Sequence, residues 1–154
     1  MPNIMLAFGA NLAGIAGTPA QTISAAISQL PSLGIEVQAI AAYKETAPWL
    51  PEGSPLCLYE QPNFVNSVVA ASTQLPPRLL MARLLKLERS FGRKRSIANA
   101  PRTIDIDILD YGGEIHHGNP ILPHPRMWQR EFVTIPLLSI HPLYSNHLKP
   151  VVIV

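Results

Sequence analysis

Two aspartates, Asp105 and Asp107, stand two residues apart inside the run Arg102-Thr103-Ile104-Asp105-Ile106-Asp107-Ile108-Leu109-Asp110. The run alternates strictly, as a β-strand with two unlike faces does. Ile104, Ile106 and Ile108 go to one face; Thr103, Asp105, Asp107 and Leu109 go to the other. On a strand the two carboxylates are neighbours, with Cα atoms roughly 6.5–7 Å apart. Aspartate is depleted in strands, and adjacent carboxylates repel unless a positive charge lies between them. Taken alone, the pattern fits a half-exposed strand with a wet acidic face. The preceding sequence shifts the reading toward a hard-cation site, because Mg²⁺ is usually held by one or two carboxylates together with phosphate oxygens. Arg93, Lys94, Arg95 and Arg102 lie just before the strand, and guanidinium groups meet phosphate with two parallel donors. Four cations around one acidic pair suit a metal–polyphosphate complex, whereas the basic run by itself reads more simply as a solvated loop.

The chain has neither a Walker-type phosphate loop nor a glycine-rich dinucleotide fingerprint. Side chains and metal must therefore hold any polyphosphate. Glu88 falls near the apolar face of a helical segment and either joins the site or pairs with Arg89 or Arg95. His124, between two prolines, is a satisfied turn histidine or a donor to an anion. Asn66 interrupts an apolar strand, and a buried amide needs partners. The edge of a flat heterocycle supplies them as well as a backbone group does. Phe64 and Phe132 could stack on such a ring, though aromatics more often fill a core.

Composition bounds the class. The 154 residues suffice for one domain with a real core, and 47% apolar against 14% charged residues excludes a disordered chain. The formal net charge of +2 is too small to indicate a nucleic-acid binder. Eight of the 12 Lys and Arg residues nevertheless fall between Arg78 and Arg102. The single cysteine, Cys57, leaves no internal disulfide and no Cys-based metal site. There is no basic start to a signal peptide and no apolar run long enough to span a bilayer. These features predict a soluble cytoplasmic protein with no membrane contact.

The elements follow from periodicity. Ile4 to Phe8 predicts a central strand, with a turn at Gly9-Ala10-Asn11-Leu12. Thr18 is a suitable N-cap before Pro19, and Ile23, Ala26, Ile27 and Leu30 repeat at helical spacing until Pro31 to Gly34. Ile35 to Lys44 predicts a second strand, Glu45 to Pro62 a long irregular loop, and Phe64 to Thr73 a third strand. Pro76-Pro77 opens a second helix with Leu80, Leu84, Leu87 and Phe91 on one face and Gly92 after its end. The Asp-bearing strand is the fourth. Beyond it come a hairpin turn at Gly112-Gly113 and a short helix near Thr134 to Ile140. The order is β-α-β-β-α-β, the signature of an α+β, ferredoxin-like sandwich with an antiparallel sheet and a C-terminal extension. Both helices cover one face; the other stays open provided the C-terminal segment leaves it so.

With these pieces in place the chain resembles the 6-hydroxymethyl-7,8-dihydropterin pyrophosphokinase family. The matching segments are Ala100-Pro101-Arg102-Thr103-Ile104-Asp105-Ile106-Asp107-Ile108-Leu109, Phe8-Gly9-Ala10-Asn11-Leu12, Phe64-Val65-Asn66, Leu87-Glu88 through Gly92-Arg93-Lys94-Arg95, and Leu122-Pro123-His124 through Arg130-Glu131-Phe132. The resemblance implies one pyrophosphokinase domain over residues 1–154. It also implies transfer of pyrophosphate from ATP to 6-hydroxymethyl-7,8-dihydropterin with release of AMP, in folate biosynthesis. It assigns two Mg²⁺ ions to Asp105 and Asp107, and the mobile-loop arginines to Arg93 and Arg95. Arg102, His124 and Arg130 match nucleotide-site residues, with Glu88 and Ile108 lining that side. Phe64 and Phe132 match the aromatic pair around the pterin, Asn66 the amide that reads its edge, and Thr46 with Ala47 the backbone beside it. Asn119 and Pro125 depart from residues that often touch the nucleotide.

The expected partners are these two small molecules, with no nucleic acid and a monomeric chain. The alternatives are a pterin-binding paralogue with another substrate and, from a different class, a ferredoxin-like nucleic-acid-binding module. The loop from Arg93 to Pro101, rich in like charges, is expected to be open without substrate and to close over the triphosphate.

Overall fold

The computed structural model describes residues 1–47, 62–92, 103–125, 133, 137, 138 and 140. β1 (Asn3–Ala10) is the apolar run expected at the centre of the sheet. It pairs antiparallel with β4 (Phe64–Thr73) on one side and with β5 (Asp105–Tyr111) on the other. The predicted turn at Gly9-Ala10 gives way to strand. Gly9 takes Asn66 and Asp105 as partners, and Ala10 takes Val65. A ladder on both sides outweighs the roughly 0.5–1 kcal/mol that glycine costs inside a strand.

Helix α1 (Pro19–Gln29) begins at Thr18, as its residues dictate. The Thr18 hydroxyl accepts from the Gln21 backbone at 3.2 Å, and the Gln21 side chain accepts from the Thr18 backbone at 2.9 Å. This reciprocal box satisfies two amides that would otherwise lack partners. A 3₁₀ turn, Leu30–Leu33, follows directly. Helix α2 (Pro77–Ser90) buries Leu80, Leu84 and Leu87 at the expected spacing, with Phe91 buried just past its end. Glu88 is buried as well.

The predicted second strand is two strands, β2 (Ile35–Ile40) and β3 (Lys44–Thr46), both antiparallel to β4. Between them the Ala41 amide donates to Val68 O at 2.9 Å, and the Ser67 hydroxyl donates to Ala41 O at 2.8 Å. A side chain thus takes the place of a ladder partner, and the strand breaks there. The irregular segment begins after Thr46, and residues 48–61 lie outside the described region. The sheet order is β2-β4-β1-β5 with β3 added on β4, the ferredoxin-like arrangement.

Ile4, Leu6, Phe8, Ala10, Val69 and Ala71 face the two helices, and Ile104, Ile106 and Ile108 join them. The opposite face is only half open. Val133, Leu137, Leu138 and Ile140 are helical, as expected for that segment. Val133 and Leu137 bury against Met5, Ala7, Val68 and Leu109, so the C-terminal extension seals one end of this face. The Gly112-Gly113 turn is present, with both residues at positive φ and the Glu114 amide donating to Tyr111 O at 2.9 Å. Among the described residues no strand ladder follows it, only the isolated bridge His116–Leu122. Prolines 120, 123 and 125 remove the donors a ladder would need. No helix among the described residues is long and apolar enough to cross a membrane.

Candidate active site

The open end of the second face carries the polar residues. On β4, Phe64 and Asn66 point to the same side as Val68, because they differ by two. On β5, Asp105 and Asp107 point away from the Ile104–Ile106–Ile108 side, as the alternation required. The two strands meet across β1, where Gly9 partners both Asn66 and Asp105, and Ala7 partners Val68 and Asp107. The row Lys44–Asn66–Gly9–Asp105 therefore crosses four strands. Two strand spacings separate Asn66 from Asp105, about 9–10 Å.

Asn66 is 4% exposed. Its Nδ2 donates to Thr46 Oγ1 at 2.8 Å and to Lys44 O at 3.4 Å. A carbonyl can only accept, so this bonding turns the amino group toward β3 and assigns Oδ1 to the Gly9 side. Of the two readings of this amide, the backbone partner is present, at Lys44 O. Thr46 pairs in register with Phe64, and Ala47 beyond it is exposed. Thr46, Phe64 and Asn66 are brought together. Phe132 lies outside the described residues.

Asp105 and Asp107 are half-buried. β5 is an edge strand, and its outer side borders a cleft of about 300 Å³. Met81, Leu84, Leu85 and Glu88 of α2 form one wall. Asn119, Pro120, Ile121, His124 and Pro125 form another, and residues 105–108 form the floor. The His124 amide donates to Leu109 O at 2.8 Å and fastens that wall to the edge strand. Five of the predicted nucleotide-side and metal residues, Glu88, Asp105, Asp107, Ile108 and His124, thus line one cavity. Arg93, Arg95, Arg102 and Arg130, and the expected closure of the loop from Arg93 to Pro101, fall outside the described residues. Among those described, no group of three or more His, Cys, Asp and Glu side chains converges. Two carboxylates beside an open cleft form a donor set for a hard cation that shares its remaining positions with phosphate.

Sequence reading missed Met81, Leu84, Leu85, Pro120 and Ile121 as cleft residues. Their apolar character is shared with the core, so only the fold reveals their exposure to a cavity. It also misread Gly9 as a turn residue, although glycine inside a strand is itself a signal of close approach.

The model of the 7,8-dihydro-6-hydroxymethylpterin-pyrophosphokinase (HPPK) family matches residues 5–142. The chain belongs to this family. It is 34% identical over 155 residues to the 2-amino-4-hydroxy-6-hydroxymethyldihydropteridine pyrophosphokinase of Aquifex aeolicus, covering 97% of this chain and 89% of that one. The protein of the same name from Haemophilus influenzae is 37% identical over 139 residues, with coverage of 88% and 79%. A mitochondrial folate synthesis bifunctional protein of Pisum sativum is 34% identical over 138 residues; the match takes in 89% of this chain but 25% of that protein. The HPPK chain spans still less, 20%, of a folic acid synthesis protein of Dictyostelium discoideum. A solved HPPK-DHPS structure in complex with substrates shares the fold. Its TM-score is 0.60 at 15% identity, covering 92% of this chain and 40% of that one.

Proposed function

We propose that this HPPK chain transfers the pyrophosphoryl group of ATP to 6-hydroxymethyl-7,8-dihydropterin and releases AMP. The observation that carries the proposal is the row joining Asn66 to Asp105 through Gly9. A flat ring read at Asn66 extends its hydroxymethyl arm toward the aspartates, and ATP reaches the same aspartates from the cleft on the far side of β5. The two substrates then meet over one strand edge. Such placement turns a bimolecular encounter into an intramolecular one.

In this reading Thr46, Ala47, Phe64, Asn66 and Phe132 form the pterin pocket. Glu88, Arg95, Arg102, Ile108, His124 and Arg130 hold ATP. Asp105 and Asp107 hold two Mg²⁺ ions, which supply charge neutralisation at the triphosphate when bound. Asp105 and Asp107 orient the phosphate chain, while Arg93 and Arg95 stabilise charge on the transferring group. The pterin hydroxymethyl oxygen forms a bond to the β-phosphorus and gives up its proton to solvent, the bond from that phosphorus to the oxygen bridging it to the α-phosphorus breaks, and that oxygen departs with AMP. The same proposal places the enzyme in the cytoplasm as a monomer. The formal net charge of +2 and the match to the HPPK family disfavour the nucleic-acid-binding reading.

The test is AMP formation from ATP on addition of hydroxymethyldihydropterin. AMP release that requires both substrates and a divalent cation is expected. ATP consumption indifferent to the pterin would overturn the assignment.

A further inference from the structure

We propose that Arg78 and Arg89, with Lys86 beside them, form a cationic rim that steers the nucleotide polyphosphate into the cleft along β5 without touching it once it is bound. The inference rests on the ATP reading above. Residues 78, 82, 85 and 89 follow at spacings of four, three and four, so they share one stripe of α2. Leu85 in that stripe lines the cleft, and Arg78 and Arg89 bracket it. The fold places both ends of the stripe. A Cβ built at Gly14 would lie 3.2 Å from Thr103 Cγ2 and 3.6 Å from Phe91 O, so the end of α2 adjoins the start of β5. The Tyr111 hydroxyl donates to Leu75 O, so the start of α2 adjoins the end of β5. Arg89 therefore stands at the Asp105 end of the cleft and Arg78 at the opposite end, about 16 Å away along the helix.

Local interactions do not account for these cations. Arg78, Lys86 and Arg89 are exposed, and none makes an ion pair or a side-chain hydrogen bond among the described residues. Arg83, by contrast, donates to Leu33 O at 2.8 Å. The one acid of α2, Glu88, is buried and lines the cleft itself. No acid stands three or four residues from Arg78, Lys86 or Arg89. Lys86 does stand three from Arg89, and like charges that close on a helix repel. Arg89 complements the carbonyl end of the helix, but Arg78 is the second residue of α2, where the helix dipole disfavours a cation. What the row serves is the field over the cleft. Glu88, Asp105 and Asp107 set three acidic side chains in the lining against one imidazole, His124. A polyphosphate approaching that lining is repelled, and exposed cations on the rim offset the repulsion before contact. Their reach is about 10 Å at about 0.1 M salt, roughly the diameter of a helix.

The test is stopped-flow association of the fluorescent nucleotide mant-ATP, with Mg²⁺, to the intact protein. In the double variant Arg78→Gln and Arg89→Gln the association rate constant should fall about fivefold or more at about 0.01 M ionic strength. It should approach the wild-type value at about 1 M, where the screening length is only about 3 Å. The dissociation rate and kcat for AMP formation should match wild type, because the rim acts before contact. The double variant Arg78→Lys and Arg89→Lys should keep the wild-type association rate, since the charge survives without the guanidinium. In the wild-type protein itself, association should slow steeply as salt is added. Unchanged association in the Gln variant at low salt, a loss carried by dissociation, or no recovery in the Lys variant overturns the proposal. Wild-type association indifferent to salt does the same. Each of these refutes the rim alone and leaves pterin-dependent AMP release in place. Wild-type protein that binds no Mg–mant-ATP refutes the functional reading and this inference with it.

Discussion

Asn66 and Asp105, 39 positions apart in the chain, flank the same residue, Gly9, on opposite sides of β1. One residue is suited to reading a ring and the other to holding a phosphate-bound cation. Their separation is set by strand spacing, not by loop conformation. Asp105→Asn and Asp107→Asn should each lower turnover by orders of magnitude, because one of two negative charges that organise the phosphates is lost. Thermal unfolding should change little, since both side chains are half-exposed. Single-turnover measurement of AMP formation decides it; near-normal rates in both variants would remove these residues from the metal site.

Asn66→Ala should weaken pterin binding by about 1–3 kcal/mol, the usual cost of losing a partner in a desolvated site. ATP affinity should be unaffected. Calorimetric titration of each substrate separates the two. Weakened ATP binding with unchanged pterin binding would mean that the pocket is assigned to the wrong end of the sheet.

Leu137 is fully buried in the second core, against the face that carries the site. Leu137→Ala should destabilise the protein by about 2–5 kcal/mol through lost transfer energy and the cavity left behind. Urea denaturation measures this. A change within experimental error would show that the extension is not packed on the sheet in solution.

Tyr111 donates its hydroxyl proton to Leu75 O at 2.5 Å. Burial, helped by the Glu114 carboxylate nearby, pushes its ionisation above the ordinary phenol range. The folded protein therefore keeps the proton at a pH where the unfolded chain has lost it. The associated stability is intact below about pH 10, where an unperturbed phenol titrates, and declines as pH rises beyond it. Tyr111→Phe should cost about 0.5–1.5 kcal/mol at neutral pH and flatten the alkaline decline. Melting temperatures of both proteins from about pH 8 to about pH 11, across the phenol range, provide the comparison. An unchanged alkaline slope in the variant would exclude Tyr111 as its source.

Much of this was legible in the chain itself. The alternation of isoleucine and aspartate placed Asp105 and Asp107 on one face because a strand has period two and nothing competes with that geometry. The Thr18 cap and the apolar spacing of α2 are local and were read without tertiary knowledge. The break between β2 and β3 was not legible, since it depends on Ser67, 26 positions beyond Ala41, diverting a carbonyl. The partial sealing of the second face by Val133 and Leu137 was equally hidden, because apolar residues at helical spacing do not name the surface they cover. Gly9 was misread for a related reason. A glycine followed by a small residue and an asparagine carries turn chemistry locally, and only pairing with two distant strands overrides it.

The placement of Gly9 on β1 bears on how the protein moves. Strands paired on both sides and buried on both faces open only with the whole molecule, so their amides exchange most slowly. β1 is such a strand, which puts the floor of the proposed substrate site in the slowest-exchanging part of the sheet. A ring landing there orders no backbone that was not already ordered. The entropy lost on binding must then arise in the substrate and in segments around the floor, and tight binding of a small flat molecule needs little rearrangement beneath it.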